Sequence, residues 1–106
     1  MIGYNIVGTK DLPKASAFFD KVLSVLGAKR LMEEEKFVVW GHSMEETCFS
    51  ICLPHDGNEA KPGNGTMTAF YADNEETVDK AYQVALENGG TCEGAPGLRD
   101  FGYYVA

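Results

Sequence analysis

Two stretches of the chain share one hydrophobic spacing. In the first, Ala15, Phe18, Phe19, Val22, Leu23 and Leu26 recur at intervals of three and four, the spacing of one helical face. Asp11 stands where an N-cap belongs, and Pro13 fits the first turn because its missing N–H has no helical partner there. Gly27 supplies the left-handed stop. In the second stretch Val78, Ala81, Tyr82, Ala85 and Leu86 form the apolar face behind Asn74, a second capping residue. Glu75 and Glu76 lie in its first turn, where the helix dipole favours negative charge, and Gly89-Gly90 ends it.

Around these helices run β-prone segments. Ile2–Val7 precedes the first helix, and Lys29–Glu33, Lys36–Trp40 and Thr47–Leu53 follow it, joined by short polar connections. Pro54 to Gly65 is rich in Gly, Pro, Asn and charge and reads as a linker. Strand Thr66–Ala72 then precedes the second helix, with Thr91–Glu93 and Gly102–Val105 as strands after it. The offset between the copies is constant: Tyr4 to Met67, Asp11 to Asn74 and Gly27 to Gly90 are each 63 residues apart. The pattern predicts an α+β fold of two tandem βαβββ modules within one domain, 1–106. Module one is 1–54, the linker 55–65 and module two 66–106. The same offset projects a last strand to 110–116, beyond Ala106, so module two is expected to lack its last strand; a longer natural chain is the other explanation.

Composition narrows the function classes. A net charge of −7 argues against nucleic acid and anionic membranes as partners. No apolar run approaches the ~20 residues that span a bilayer. The N-terminus has neither a basic region nor an apolar signal core, so a cytoplasmic protein is expected. Cys48 and Cys52, four apart on a strand, stand roughly 13 Å from each other, too far for a disulfide. With Cys92 they read as small thiols in a reducing compartment. His42 and His55 fall in loops without neighbouring ligands, and Glu33-Glu34-Glu35 reads as a solvated turn.

The order Ile2–Gly8, Asp11-Leu12-Pro13, Phe18-Phe19, Leu26-Gly27, Gly63-Asn64-Gly65-Thr66 and Gly97-Leu98-Arg99 leading to Tyr103-Tyr104 resembles the vicinal oxygen chelate superfamily. That superfamily includes glyoxalase I, extradiol dioxygenases, fosfomycin-resistance thiol transferases and bleomycin-resistance proteins, and this chain is most similar to its glyoxalase-like members without a known reaction. The resemblance implies a cupped sheet around a cleft, with a divalent metal held by the first and last strands of each module. Transferred to this chain, the first-strand positions fall on Tyr4 and Met67, and a phenol and a thioether are poor ligands for a hard divalent ion. The last strand of module one offers Cys48, Ser50 and Cys52 and no carboxylate. No metal site and no cofactor are therefore expected, unless a further C-terminal strand or a partner supplies ligands.

Strand alternation predicts which side chains share a face. Tyr4, Trp40, Ser50, Cys52, Met67 and Tyr104 are the expected lining of the cleft, an apolar and aromatic floor with a few hydroxyls and thiols. Such a surface suits a flat or amphipathic small molecule, as in the metal-free bleomycin-resistance proteins. The competing reading is that Tyr4, Trp40, Met67 and Tyr104 only fill a core. The expected function is metal-independent binding of a small organic ligand. A metal-dependent lyase, dioxygenase or thiol transferase with its C-terminal strand missing is the first alternative, and a degenerate module acting only in assembly is the second. An unpaired strand edge and the resemblance both point to a homodimer with strand or module pairing across subunits. Whether any reaction is catalysed is left open by the residues.

Overall fold

The computed structural model describes residues 1–106. Strand β1 (Tyr4–Gly8) leads into helix α1 (Leu12–Val25), followed by β2 (Lys29–Glu33), β3 (Phe37–Gly41) and β4 (Cys48–Cys52). The second half contributes helix α2 (Glu75–Glu87) and two very short strands, β5 (Gly97–Leu98) and β6 (Tyr104–Val105). The result is a mixed α+β fold with one four-stranded sheet of order β1-β4-β3-β2. After α1 crosses the sheet, the β2-β3-β4 meander returns antiparallel and brings β4 alongside β1, to which it runs parallel.

Both helices begin as their sequences dictate. The Asp11 Oδ1 accepts from the Lys14 N–H at 3.1 Å, and the Asn74 Oδ1 accepts from the Thr77 N–H at 2.8 Å. These two caps keep the 63-residue offset. The helix ends do not. The left-handed residue after α1 is Gly27 (φ 78°), but after α2 it is Gly89 (φ 99°), one position before the counterpart of Gly27. Helix α2 is accordingly one residue shorter than α1.

Two expected strands are absent. Residues 66–72 form no ladder, although their side chains alternate as in a strand: Thr68 Oγ1 donates to Asn5 Oδ1 at 3.0 Å, and Phe70 meets Phe49 edge-on with centroids 4.9 Å apart. Strand β1 gains its ladder from β4, and nothing equivalent to β4 lies beside 66–72. Thr91–Glu93 is also irregular, because Gly94 and Pro96 follow at once, and the pairing strand is displaced to Gly97–Leu98.

Pairing register defines the two faces of the large sheet. Asn5, Phe49 and Trp40 form one row, and Val7, Ile51 and Val38 the next, on the side covered by α1. Leu23 joins Val38, Trp40, Phe49 and Ile51 in the core, with Leu12, Ala15, Phe19, Leu26 and Ala28 packed against them. Trp40, expected in the cleft, therefore belongs to this core and is 1% exposed. Both faces of β3 are apolar, so alternation alone could not tell which side α1 would cover. The indole Nε1 of Trp40 donates to Asp20 Oδ1 at 2.9 Å, while Arg30 donates to both Asp20 oxygens at 2.8 and 2.7 Å. These bonds fix α1 over β2 and β3. Every buried residue falls between Ser16 and Ile51, so the first half carries the core and α2 has no buried residue.

Two stability predictions follow from this asymmetry and from Asp20. Ile51→Ala should cost about 3 kcal/mol in urea denaturation, whereas Leu86→Ala on the partly exposed α2 face should cost about 1 kcal/mol or less. The Arg30 hydrogen bonds hold the Asp20 carboxyl below its ordinary value against the opposing effect of burial, and the Trp40 bond adds to the lowering. A depressed folded-state value makes this contribution complete above the unfolded value of 3.8 and removes it as pH falls through the folded value. The stability difference between wild type and Asp20→Asn should therefore shrink as urea titrations move below pH 3.8.

Candidate functional site

The face of the sheet away from α1 is built of three rows. Tyr4 lies beside Cys48, which meets Gly41; Ile6, Ser50 and Val39 form the middle row; Gly8, Cys52 and Phe37 form the third. Much of this surface is closed by the chain itself. At Gly41 a Cβ would lie 3.0 Å from Leu31 Cδ1 and 3.3 Å from Cys48 Sγ, so the glycine admits the Leu31 side chain over this end. At Gly8 a Cβ would lie 3.2 Å from Ala60 Cβ and 3.6 Å from Pro54 Cγ, which shows the linker crossing the other end. Cys48, Ser50 and Val39 are buried, and Cys52 is half-buried. The Cys48 thiol donates to the carbonyl oxygens of Glu46 (3.3 Å) and Ser43 (3.6 Å).

What remains open is the β1 rim. Tyr4 is 67% exposed and Ile6 47%. Thr68 and Phe70 face the core side, so alternation turns Met67 and Tyr71 to the open side next to β1, where they are 90% and 84% exposed. Four large apolar or aromatic side chains thus share a rim that has no charged residue. Segments 1–9 and 62–72 contain no Asp, Glu, Lys, Arg or His.

The six residues expected in the cleft separate into two groups. Tyr4, Ser50, Cys52 and Met67 fall on or beside the open face, with Ser50 sealed under it. Trp40 and Tyr104 lie on the helix side. The Tyr104 hydroxyl donates to Asp79 Oδ1 of α2 at 2.7 Å, and this hydrogen bond, with some burial, raises the phenol above its ordinary value. Tyr104 is therefore a tie between β6 and α2. Ile6 and Tyr71 were not among the expected residues, yet their parity with Tyr4 and Met67 already placed them on the same face.

The same face tests whether a divalent metal fits. Nowhere in the chain do three His, Cys, Asp or Glu side chains converge to hold an ion. The rim positions hold a phenol and a thioether, and the thiols of Cys48 and Cys52 stand on separate rows. His42 is engaged elsewhere, with Nε2 at 2.9 Å from the Leu26 carbonyl and Nδ1 at 3.6 Å from Glu46. The residues present do not fit a metal centre of hard-ion type. No helix is long and apolar enough to cross a membrane.

The four-stranded mixed sheet with its helices matches the glyoxalase-like α+β fold. The chain belongs to the Glyoxalase/Bleomycin resistance protein/Dioxygenase superfamily, whose description matches residues 2–106. A glyoxalase/bleomycin resistance protein from Albidiferax ferrireducens T118 is 32% identical, its match covering 94% of this chain and 82% of that one, with a TM-score of 0.87. A glyoxalase/bleomycin resistance protein/dioxygenase family enzyme from Burkholderia phytofirmans PsJN shares the fold at 22% identity, covering 96% of this chain and 84% of that one with a TM-score of 0.73. No curated protein matches the chain.

The donor chemistry leads to a direct measurement. Addition of Mn, Fe, Ni or Zn ions should leave the melting temperature of chelator-treated protein unchanged. A saturable upward shift with any of them would reverse the assignment.

Proposed function

We propose that the chain binds a small, flat, largely uncharged organic molecule against the rim formed by Tyr4, Ile6, Met67 and Tyr71, without a metal ion. The observation that carries this reading is the joint exposure of these four side chains on one uncharged face of a chain with net charge −7. Solvent-exposed aromatic and thioether groups gathered on one face favour an apolar ligand, and Met67 can adapt its shape to that ligand. Ser50 is buried and Cys52 half-buried, so neither is placed among the ligand's contacts.

This reading includes the tandem architecture. The paired caps at Asp11 and Asn74 and the Asn5–Thr68 contact, which joins two positions 63 apart, support two βαβββ-derived halves meeting along β1 and 66–72 in one domain. On that arrangement the rim lies between the first segments of the two modules. The metal-dependent alternative would need ligands from outside these residues, because the rim itself offers no imidazole or carboxylate.

A thermal-shift screen of aromatic and heteroaromatic compounds, followed by calorimetry in the presence of a chelator, tests the reading. Saturable binding should survive the chelator. Tyr4→Ala and Met67→Asp should each weaken it about tenfold or more, equivalent to about 1.4 kcal/mol. Binding that is unchanged in both variants, or lost with the chelator, would overturn the proposal. Both positions are exposed, so neither substitution removes a core contact.

A further inference from the structure

Where β1 and β4 end and β3 begins, the chain leaves a cavity of about 530 Å³, a size that holds a small organic molecule. Three connections wall it: Thr9-Lys10 after β1, Lys36 before β3, and the linker that follows β4 as far as Ala60. All of them belong to the first half of the chain and the linker.

Backbone bonds pin these walls to one another. The Thr9 N–H donates to the Cys52 carbonyl at 2.8 Å, and the Leu53 N–H donates to the Lys36 carbonyl at 2.8 Å. Within the linker the Gly57 N–H donates to the Pro54 carbonyl at 3.1 Å, and Gly57 takes the left-handed backbone, φ 76°, that this turn requires. The Asn58 N–H donates to Asp56 Oδ1 at 2.9 Å, which engages the Asp56 carboxylate within the turn. The cavity therefore stands on a framework set by the chain itself, so binding there orders little backbone.

Charge separates this cavity from the rest of the surface. The chain has 9 basic against 16 acidic residues, yet two of the three ionisable side chains lining the cavity are lysines. Lys36 makes no ion pair; its sequence neighbours Glu34 and Glu35 are not part of the lining. Lys10 meets Glu59 at 3.5 Å, with side chains 72% and 68% exposed, a solvated pairing that a bound anion displaces at little cost. Leu53 and Ala60 supply an apolar wall beside the two ammonium groups.

We infer that this cavity is a second ligand site, which takes a small organic oxyanion with its charged group between Lys10 and Lys36 and its carbon body against Leu53 and Ala60. The bound oxyanion replaces Glu59 as the partner of Lys10. An ammonium is a compact point charge that accepts carboxylate and phosphate alike, so the shared chemistry is the oxyanion. The site lies beyond Gly8, apart from the uncharged rim, and does not rest on the reading of that rim.

Titrating the intact protein with succinate, with glycerol phosphate and with sodium chloride at matched ionic strength, read by proton–nitrogen NMR correlation spectra, tests it. Saturable shifts at the amides of Lys10, Lys36 and Gly57 to Ala60 are expected with at least one of the organic anions and not with chloride, and the anion that saturates identifies the class. Lys10→Gln and Lys36→Gln should each weaken binding about tenfold, while Lys36→Arg retains it. Glu59→Gln, which removes the competing carboxylate, should tighten binding about threefold. Lys10, Lys36 and Glu59 are all exposed, so these substitutions leave the core untouched. Shifts that never saturate, that chloride reproduces, or that persist unchanged in both lysine→Gln variants would overturn the inference. Weaker binding in Glu59→Gln would overturn it as well, because the carboxylate would then belong to the site and not compete for it.

Discussion

The contact on which most of this structure depends is the one around the Phe49 ring. Its centroid lies 4.8 Å from Phe19 on α1, 6.3 Å from Trp40 on β3 and 4.9 Å from Phe70 in the second half of the chain. One side chain therefore joins helix, sheet and the segment that follows the linker. Tilted and edge-on geometries such as these add about 0.5–1.5 kcal/mol per pair beyond simple burial. They also orient what lies behind them. Holding Phe70 on the helix side of the sheet commits its neighbours Met67 and Tyr71 to the opposite, open side, because residues in an extended segment alternate. The exposure of the rim is thus a consequence of the core, and a change at Phe49 would be felt in both.

Asp20 acts on the same assembly from its margin. It accepts from Arg30 and Trp40, and the Arg30 guanidinium carbon lies 5.8 Å from the centre of the Trp40 ring. The carboxylate thereby ties α1 to the Trp40 face of β3. With Trp40 and Val38 committed to the helix, Phe37 and Val39 are left to the other face. The polar network and the apolar core thus hold the same face of β3 against α1 in a chain whose β3 is apolar on both sides.

This explains what the amino-acid pattern could and could not reveal. The helix caps, the helical faces and the strands of the first half depend on local spacing, and Asp11, Asn74 and the Ala15–Leu26 face stand where that spacing puts them. Trp40 was different. Its parity with Val38 was legible, but the side of the sheet that α1 would cover was not, and Asp20, which receives the indole N–H there, looks like any solvated helix acid in sequence. For 66–72 the alternation was right and the pairing was not, because hydrogen-bonded pairing requires a neighbouring strand that spacing within the segment cannot report. Tyr104 presents the same difficulty. Its partner Asp79 is 25 residues away and fixes the ring to α2.

The rim and the uncharged segments have one physical origin. Residues 1–9 and 62–72 meet where the two halves of the chain join, and Asn5 and Thr68 occupy positions related by the 63-residue offset. An ionisable group in this seam would lose its hydration wherever the seam is covered. Uncharged residues avoid that cost, and Tyr, Ile and Met add apolar area at the same place. The seam therefore has the composition of an interior while, in a single chain, it has the exposure of a surface. Burial of such a seam is favoured by roughly 25 cal/mol per Å² of apolar area, whichever molecule covers it. A small ligand can cover only part of a face of this extent. On the proposed reading, the side chains of Tyr4 and Met67 set what the face recognises, and the absence of charge around them keeps the site selective for uncharged ligands.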